Sequence, residues 1–176
     1  AGFSSAYFYK NELLTGDKLK NKDENALFFY DTAGYEAVEK QGEDGYSLSN
    51  PEELNVINKI IETHNINPEN TAFISPYAAQ VSLAKKLLNR IKCSTIDSFQ
   101  GQEKEVIILS LVRSNANGNI GFLKDYRRMN VALTRAQKQL IVVGDSATFG
   151  SDEFYSKFLS YTEEKMAYKS VFEILY

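Results

Sequence analysis

A polar loop with a single glycine, TIDSFQGQE at residues 95–103, combines side chains that could contact two different ligands. The polar members of interest are Thr95, Ser98, Gln100, Gln102 and Glu103. The two hydroxyl groups can donate to the phosphate oxygens of a nucleic acid. The two amides and the carboxylate suit a ribose or a positioned water, and Gly101 leaves room for a ligand or a backbone to come close. The loop leads directly into the apolar run that follows it, which would hold it on a rigid element.

The same loop also has a purely structural interpretation. Asp97 or Ser98 could cap a short helical turn, with Glu103 simply exposed to solvent. The residue types alone leave both interpretations open.

A second candidate site lies in a cationic segment. Between residues 124 and 138 a single acid, Asp125, stands against five cations: Lys124, Arg127, Arg128, Arg135 and Lys138. The apolar spacing predicts a helix over 124–137, on which Arg128 and Arg135, seven residues apart, would project from nearly the same side. An arginine that rises from an apolar face is suited to an anionic ligand. A solvated helix with arginines for solubility is the alternative.

The elements that would position these residues alternate along the chain. The pattern predicts strands at 26–34, 71–75, 93–95, 105–112 and 139–144. It predicts helices at about 51–61, 77–91, 124–137 and 152–161, with a last helix closing the chain. Strands rich in Val, Ile and Leu between helices indicate a parallel sheet covered on both faces. The loops after the strands at 71–75 and 93–95 should therefore open on the same edge.

Composition excludes several classes of protein. The chain has 176 residues, 43% of them hydrophobic, and a net charge of −3, which argues against binding nucleic acid by bulk charge. With one cysteine, Cys93, and one histidine, His64, the chain can form no internal disulfide and no zinc site of the usual ligands. A reducing compartment follows from the cysteine count, and a Cys–His nucleophile pair is formally open. No apolar run approaches about 20 residues, and the first residues do not read as a signal peptide.

Taken together and in this order, the motifs resemble those of a known family. The loop at 95–103, the strand VIILSLVRS at 106–114 and RRMNVALTRA at 127–136 resemble the fifth and sixth motifs of superfamily-one helicases, in the up-frameshift-like branch. FISPYAAQ at 73–80 is similar to the fourth motif of that branch, and SLSN at 47–50 to the segment before it. The resemblance covers about residues 26–148. It implies the second RecA-like motor domain of an ATP-driven helicase, an α/β three-layer domain with a mostly parallel sheet.

The resemblance also implies a role for each matching residue. Arg135 would be the catalytic arginine that reaches the γ-phosphate of ATP. The nucleotide-side residues would be Gly101, Glu103, Gln100, Arg128 and Tyr77. Arg128 could equally support Arg135, and Gln100 would lie at the junction with the nucleic-acid side. Thr95 and Ser98 would contact the nucleic-acid backbone. The fourth motif departs from the pattern, because Ala78 stands where a basic residue is usual just after Pro-Tyr.

The sequence also predicts a divided active site. No G-x-x-x-x-G-K-[ST] phosphate loop occurs in the 176 residues, so Mg-bound ATP would be held mainly by a first motor domain elsewhere in a longer protein. We expect a lead-in helix and polar loop at 1–24, the motor domain at 25–150, and a helical segment of the same domain at 151–176. The expected partners are that first domain and single-stranded nucleic acid, with DNA preferred and RNA open. A cytoplasmic or nucleoid location is expected, and no membrane. The alternative is a non-catalytic helicase-like binding module.

Overall fold

The computed structural model describes residues 27–176, which form one parallel sheet with helices on both faces. The lead-in segment predicted at 1–24 lies outside the described residues. The strands are β1 Leu27–Asp31, β2 Lys40–Gln41, β3 Leu48–Ser49, β4 Thr71–Ser75, β5 Lys92–Thr95, β6 Lys104–Ser110, β7 Ala136–Gly144 and β8 Tyr168–Ser170. The helices are α1 Pro51–Thr63, α2 Ala78–Leu87, α3 Tyr126–Leu133, α4 Ser146–Phe149, α5 Glu153–Glu164 and α6 Phe172–Leu175. Short 3₁₀ turns lie at Pro68–Asn70 and Gly121–Lys124.

The six strands of the main sheet run in the order β5-β4-β6-β7-β1-β8, and each neighbouring pair is parallel. One core cluster lies on each face of this sheet. This is the predicted three-layer RecA-like arrangement, and the α/β class is confirmed. In a parallel sheet all strands start at one edge and finish at the other. We call these the amino edge and the carboxyl edge.

Helix α1 begins where the sequence predicts. The Asn50 side chain accepts a hydrogen bond from the backbone N–H of Glu53, and Pro51 occupies the first turn. An amide cap satisfies one of the unpaired N–H groups of the first turn, and proline has no N–H to leave unpaired. Four apolar side chains of this helix are fully buried against the sheet, namely Leu54, Val56, Ile57 and Ile60.

The predicted helix at 124–137 is wrong at its C-terminal end. Helix α3 ends at Leu133, and Ala136 already belongs to β7. Thr134 follows as the C-cap residue of the helix, and its hydroxyl donates to the carbonyl of Val131 at 2.9 Å. Pairing of Ala136 with Lys104 of β6 then fixes the extended backbone. Arg135 therefore lies between the helix and the strand, and the two-turn relation to Arg128 does not hold.

Three further elements differ from the prediction. Residues 35–49, read as a loop, include the antiparallel pair β2–β3. The C-terminal region adds β8, which pairs with β1, before the short helix α6. The helix expected to run to about residue 91 ends at Leu87.

Candidate nucleotide and nucleic-acid site

The loop at 95–103 connects the two opposite edges of the sheet. Thr95, the last residue of β5, pairs with Ser75 at the carboxyl edge. Lys104, the first residue of β6, pairs with Ala136 at the amino edge. The hydroxyl-bearing start of the loop and Glu103 at its end therefore face opposite edges, so one short loop can contact two separate ligands.

Two apolar side chains anchor this loop. Ile96 and Phe99 are buried in the core cluster that also contains Met129 of α3. Between these anchors and β6 the chain turns at Gly101, whose φ of +80° is unfavourable for residues with a side chain. Gln100 is exposed, and within residues 27–176 no hydrogen bond engages its side-chain amide. The loop thus presents polar groups from a backbone that the core holds in place.

At the carboxyl edge the two hydroxyl groups are paired with each other. Thr95 Oγ1 donates to Ser98 Oγ at 2.9 Å, and the backbone N–H of Ser98 donates to Thr95 Oγ1 at 3.2 Å. Thr95, rather than Asp97 or Ser98, caps the turn. A capped turn is therefore present, but the two cap residues predicted from the sequence are wrong. Both side chains are solvent-accessible. Because Ser98 is the acceptor in this pair, its own hydroxyl proton can rotate about the Cβ–Oγ bond and point toward an oxyanion.

At the amino edge Glu103 and Arg135 occupy neighbouring backbone positions. Each directly precedes one member of the Lys104–Ala136 strand pair. Neighbouring strands lie about 4.8 Å apart, so the backbones of the two residues emerge from adjacent strands. Gln137 donates from Nε2 to Glu103 Oε2 at 3.2 Å. A carboxylate and a guanidinium on one exposed edge can bind the hydroxyl groups and the phosphates of one nucleotide.

The Arg135 guanidinium is folded back on the end of α3. Its Nε donates to the carbonyl of Val131 at 3.2 Å, and its Nη2 donates to Thr134 Oγ1 at 3.4 Å. The last carbonyls of a helix carry partial negative charge and attract a cation. Both distances lie at or beyond the long end of the usual range for an N–H···O hydrogen bond.

Arg128 contacts the loop rather than Arg135. Its Nε lies 3.2 Å from the carboxylate of Asp97 and 3.7 Å from that of Asp125. Both ion pairs are solvent-exposed, so each contributes no more than about 1 kcal/mol to stability. The pair with Asp97 joins the loop at 95–103 to α3, which are the two motifs singled out in the sequence.

Tyr77 lies at the carboxyl edge, away from Glu103 and Arg135. Its hydroxyl accepts hydrogen bonds from the Phe122 N–H and from Arg113 Nη1, each at 3.3 Å. Burial raises the pKa of Tyr77, and the neighbouring guanidinium partly opposes that shift. The structure does not bring this ring to the nucleotide-side residues.

Arg113 and its partner Glu39 are not among the residues predicted from the sequence. A single carboxylate oxygen of Glu39 accepts from Arg113 Nε at 3.0 Å, from the Ser114 N–H at 2.9 Å and from Asn115 Nδ2 at 2.7 Å. Arg113 is buried, and it follows Val112, whose φ is +69°. An arginine immediately after an apolar strand was the available signal. Its partner lies 74 residues away, beyond the reach of sequence spacing.

A buried polar network supports the same carboxyl edge. Glu53 is fully buried and accepts from the Ser110 hydroxyl at 2.6 Å and from the Val112 N–H at 3.1 Å. Gln80 joins Asn50 to Ser110 through hydrogen bonds of 2.8 to 3.1 Å. Burial raises the pKa of Glu53 to about 8, although the hydrogen bonds from Ser110 and Val112 to its carboxylate oppose the shift.

The remaining candidates from composition have ordinary surroundings. His64 shares a 2.8 Å hydrogen bond with the Tyr30 hydroxyl. Burial raises the pKa of the Cys93 thiol to about 11, so it is protonated at neutral pH and is not an activated nucleophile. Across residues 27–176 no cluster of three or more His, Cys, Asp or Glu side chains could hold a metal ion. Within the same range, no helix combines the length and the apolar character needed to cross a bilayer.

The fold and these motifs define a RecA-like domain of the helicase type, and comparison with known proteins agrees. Residues 1–147 match a sequence family described as AAA domain. The chain belongs to this family, as a helicase-family domain of the up-frameshift-like branch of superfamily one.

Three similar proteins illustrate this relationship. The Saccharomyces cerevisiae protein named DNA polymerase alpha-associated DNA helicase A is 44% identical over 149 residues, covering 76% of this chain and 22% of that protein. The Rattus norvegicus DNA-binding protein SMUBP-2 is 36% identical over 156 residues, covering 85% and 16%. The Drosophila melanogaster Regulator of nonsense transcripts 1 homolog is 32% identical over 184 residues, covering 93% and 16%. The chain thus spans less than a quarter of the length of each of these relatives.

Proposed function

We propose that this chain is the second, C-terminal motor domain of an ATP-dependent helicase. The observation that carries the proposal is the loop at 95–103, which has Thr95 and Ser98 at one edge of the sheet and Glu103 beside Arg135 at the other. A motor must couple a nucleotide to a nucleic-acid strand, and this loop is a short, core-anchored connection between the two sites. The yeast relative is named as a DNA helicase, and we propose DNA as the substrate.

The nucleotide would lie against the amino edge, in a cleft shared with a first motor domain of the same protein. Glu103 would accept from the ribose hydroxyls, and Gly101 would allow close approach of the backbone. Arg135 would contact the γ-phosphate. The donor set on this edge fits one side of a nucleotide, because it offers a guanidinium for phosphate and a carboxylate for sugar. Mg²⁺ would be held by the first domain and would neutralise charge on the phosphates.

Closure of the two domains would bring the γ-phosphate within reach of the Arg135 guanidinium. In the structure its guanidinium occupies the end of α3, bound to Val131 O and Thr134 Oγ1. A γ-phosphate presented by the facing domain offers a full negative charge in place of a partial one, so the side chain would turn outward. It would then stabilise the charge that develops on the phosphoryl oxygens. Hydrolysis would thereby depend on domain movement.

The nucleic-acid strand would run along the carboxyl edge. The hydroxyl groups of Thr95 and Ser98 would donate to phosphate oxygens, and these contacts carry no sequence information. Arg128 would hold this part of the loop through Asp97, 3.2 Å away. Tyr77 is placed to support this edge, through its contacts with Phe122 and Arg113.

The isolated chain should not hydrolyse ATP at a significant rate. It lacks a phosphate loop, and few phosphate contacts are available on a chain of net charge −3, so its nucleic-acid affinity should also be weak and salt-sensitive. The measurement is ATP turnover with and without single-stranded DNA, for the 176-residue chain and for the complete protein. Nucleic-acid-stimulated turnover by the chain alone would contradict the proposal. A complete protein that binds DNA without any turnover would instead support the non-catalytic alternative.

Gln100→Ala in the complete protein should uncouple the two ligands. Gln100 is exposed between the hydroxyl end of the loop and Glu103, and its removal leaves the buried anchors Ile96 and Phe99 in place. We expect DNA stimulation of turnover to fall several-fold, while DNA affinity changes little.

A matched control for this variant is Gln102→Ala. The Gln102 side chain is already hydrogen-bonded within the protein. It donates to the Ser98 carbonyl at 3.3 Å and accepts from Lys92. We expect a smaller change in stimulation from this variant. Equal losses of stimulation and affinity in Gln100→Ala, or no loss of either, would overturn the coupling role.

A further inference from the structure

Phe122 is a large apolar side chain exposed at the carboxyl edge. It lies in the Gly121–Lys124 turn, and 58% of its surface is accessible. Its neighbours Ile120 and Leu123 are both buried in the core, so the backbone on either side is fixed. The exposed ring is therefore held outward by a rigid turn rather than by a mobile loop.

The ring of Phe122 rests on a buried support. Its centroid lies 5.5 Å from that of Tyr77, with an angle of 32° between the planes. The Tyr77 hydroxyl accepts from the Phe122 N–H at 3.3 Å and from Arg113 Nη1 at 3.3 Å. Arg113 is in turn bound to Glu39. These contacts hold the orientation of one aromatic face toward solvent.

Gly121 is required for this packing. A Cβ at this position would lie 1.9 Å from Arg113 Nη1 and 3.0 Å from the Tyr77 hydroxyl, and the φ of Gly121 is +48°. Any side chain would push the Arg113 guanidinium away from Tyr77. The glycine thus allows the turn that carries Phe122 to approach its support.

The charges around Phe122 favour a polyanion. Lys124 and Arg127, which follow it within five residues, are both exposed. The one acid between them, Asp125, caps α3 and lies 3.7 Å from the Arg128 guanidinium. Two other exposed aromatic residues have acidic neighbours instead. Tyr46 is 95% exposed and follows Glu43 and Asp44, and Tyr176 is 92% exposed and follows Glu173.

The Phe122 ring is also close to the proposed nucleic-acid contacts. Its support, Tyr77, follows Ser75 by two residues, and Ser75 is the strand partner of Thr95. Helix α3, which starts four residues after Phe122, is bound to the same loop through the Arg128–Asp97 ion pair. An aromatic face, nearby cations and two backbone-binding hydroxyls therefore lie on one edge.

We propose that Phe122 is a stacking platform for one unpaired base of the single-stranded nucleic acid. This inference rests on the proposed function and adds a base contact to a site otherwise made of phosphate contacts. Stacking on an aromatic ring is tolerant of sequence and is generally worth about 5- to 150-fold in affinity. The platform would hold a base in register while the phosphates beside it bind the hydroxyls.

The first test uses tryptophan as a reporter, since the chain contains none. In the 176-residue chain, Phe122→Trp should show fluorescence quenching on titration with oligothymidylate. Tyr176→Trp, an exposed reporter directly after α6, should show none. Quenching of both reporters or of neither, at concentrations where the oligonucleotide is bound, would overturn the platform.

The second test is a thermodynamic cycle in the complete protein. Phe122→Leu should weaken binding of oligothymidylate at least about fivefold. It should leave unchanged the binding of an oligonucleotide of the same length built from abasic nucleotides. Phe122→Tyr should keep the parental affinity. Equal losses for both oligonucleotides would mean that the side chain contacts another part of the protein or the backbone, which overturns the inference.

The two proposals fail in different ways. If Phe122→Leu has no effect but a Thr95→Val, Ser98→Ala double variant loses affinity, the platform is wrong and the proposed function stands. If the complete protein binds neither oligonucleotide, the proposed function itself is wrong.

Discussion

Arg135→Ala in the complete protein should lower ATP turnover by about 10³- to 10⁵-fold, the usual effect of an arginine delivered to a transferring phosphoryl group. That loss equals roughly 4–7 kcal/mol of transition-state stabilisation. Nucleotide affinity should fall much less, because the first domain would hold most of the nucleotide. Stability should also change little, since within residues 27–176 the guanidinium donates hydrogen bonds only to Val131 and Thr134.

Arg135→Lys should be nearly as damaging as the alanine variant. Lysine keeps the charge but lacks the planar fork that can span two phosphate oxygens. The measurement is steady-state turnover at saturating ATP, together with nucleotide binding at equilibrium. Arg90→Ala is the matched control, because Arg90 is an exposed arginine that precedes β5, three strands from β7. Turnover within a few-fold of the parent in Arg135→Ala would show that this arginine is an ordinary surface residue.

Glu53→Ala should destabilise the chain by about 2–5 kcal/mol. The substitution removes the acceptor of three buried donors, which are the Ser110 hydroxyl, the Val112 N–H and Asn50 Nδ2. Asn50 Nδ2 keeps two other acceptors, so the main loss falls on the first two donors. Each unsatisfied buried group costs about 1–3 kcal/mol. Val112 also loses a contact that holds its backbone at a φ of +69°, which a β-branched residue rarely adopts. Urea unfolding of the 176-residue chain measures the change in free energy.

The protonation of Glu53 should make this stability depend on pH. Burial raises its pKa to about 8 in the folded chain, against 4.5 for an exposed glutamate. The folded state therefore holds more protons than the unfolded state between these values, so stability falls as the pH rises from about 4.5 to about 8. The loss should be on the order of a few kcal/mol.

Glu53→Gln separates charge from shape. It keeps the acceptor oxygen but cannot ionise, so the part of the pH dependence due to Glu53 should disappear. Glu52→Gln, the neighbouring position in the first turn of α1, should retain the pH dependence of the parent chain. An unchanged slope between pH 5 and 8 in Glu53→Gln would contradict the role assigned to this carboxyl.

Local patterns predicted much of the sheet and the start of its first helix. Strands β4, β6 and β7 each contain a continuous apolar run, and the side chain of Asn50, just before Pro51, caps the start of α1. The pattern failed where a distant partner decided the structure. Residues 134–137 can continue a helix, but Lys104 of β6 pairs with Ala136 and draws the chain into β7. Each strand of the β2–β3 pair is two residues long. Helix α2 helps to hold this pair, because the Ala79 N–H donates to Ser47 Oγ.

The sequence by itself determined the fold class, the helicase-like motifs and most of the candidate site, because these depend on residue types at short spacing. Only the tertiary structure decided how the site is arranged. The strand order β5-β4-β6-β7 carries the loop at 95–103 from one edge of the sheet to the other, and it sets Glu103 beside Arg135. It also pairs Arg113 with Glu39 and supports Phe122 on Tyr77. The hydrogen bonds Glu39–Arg113, Tyr77–Phe122 and Glu103–Gln137 join residues 34 to 74 positions apart, and only chain folding brings such residues within reach.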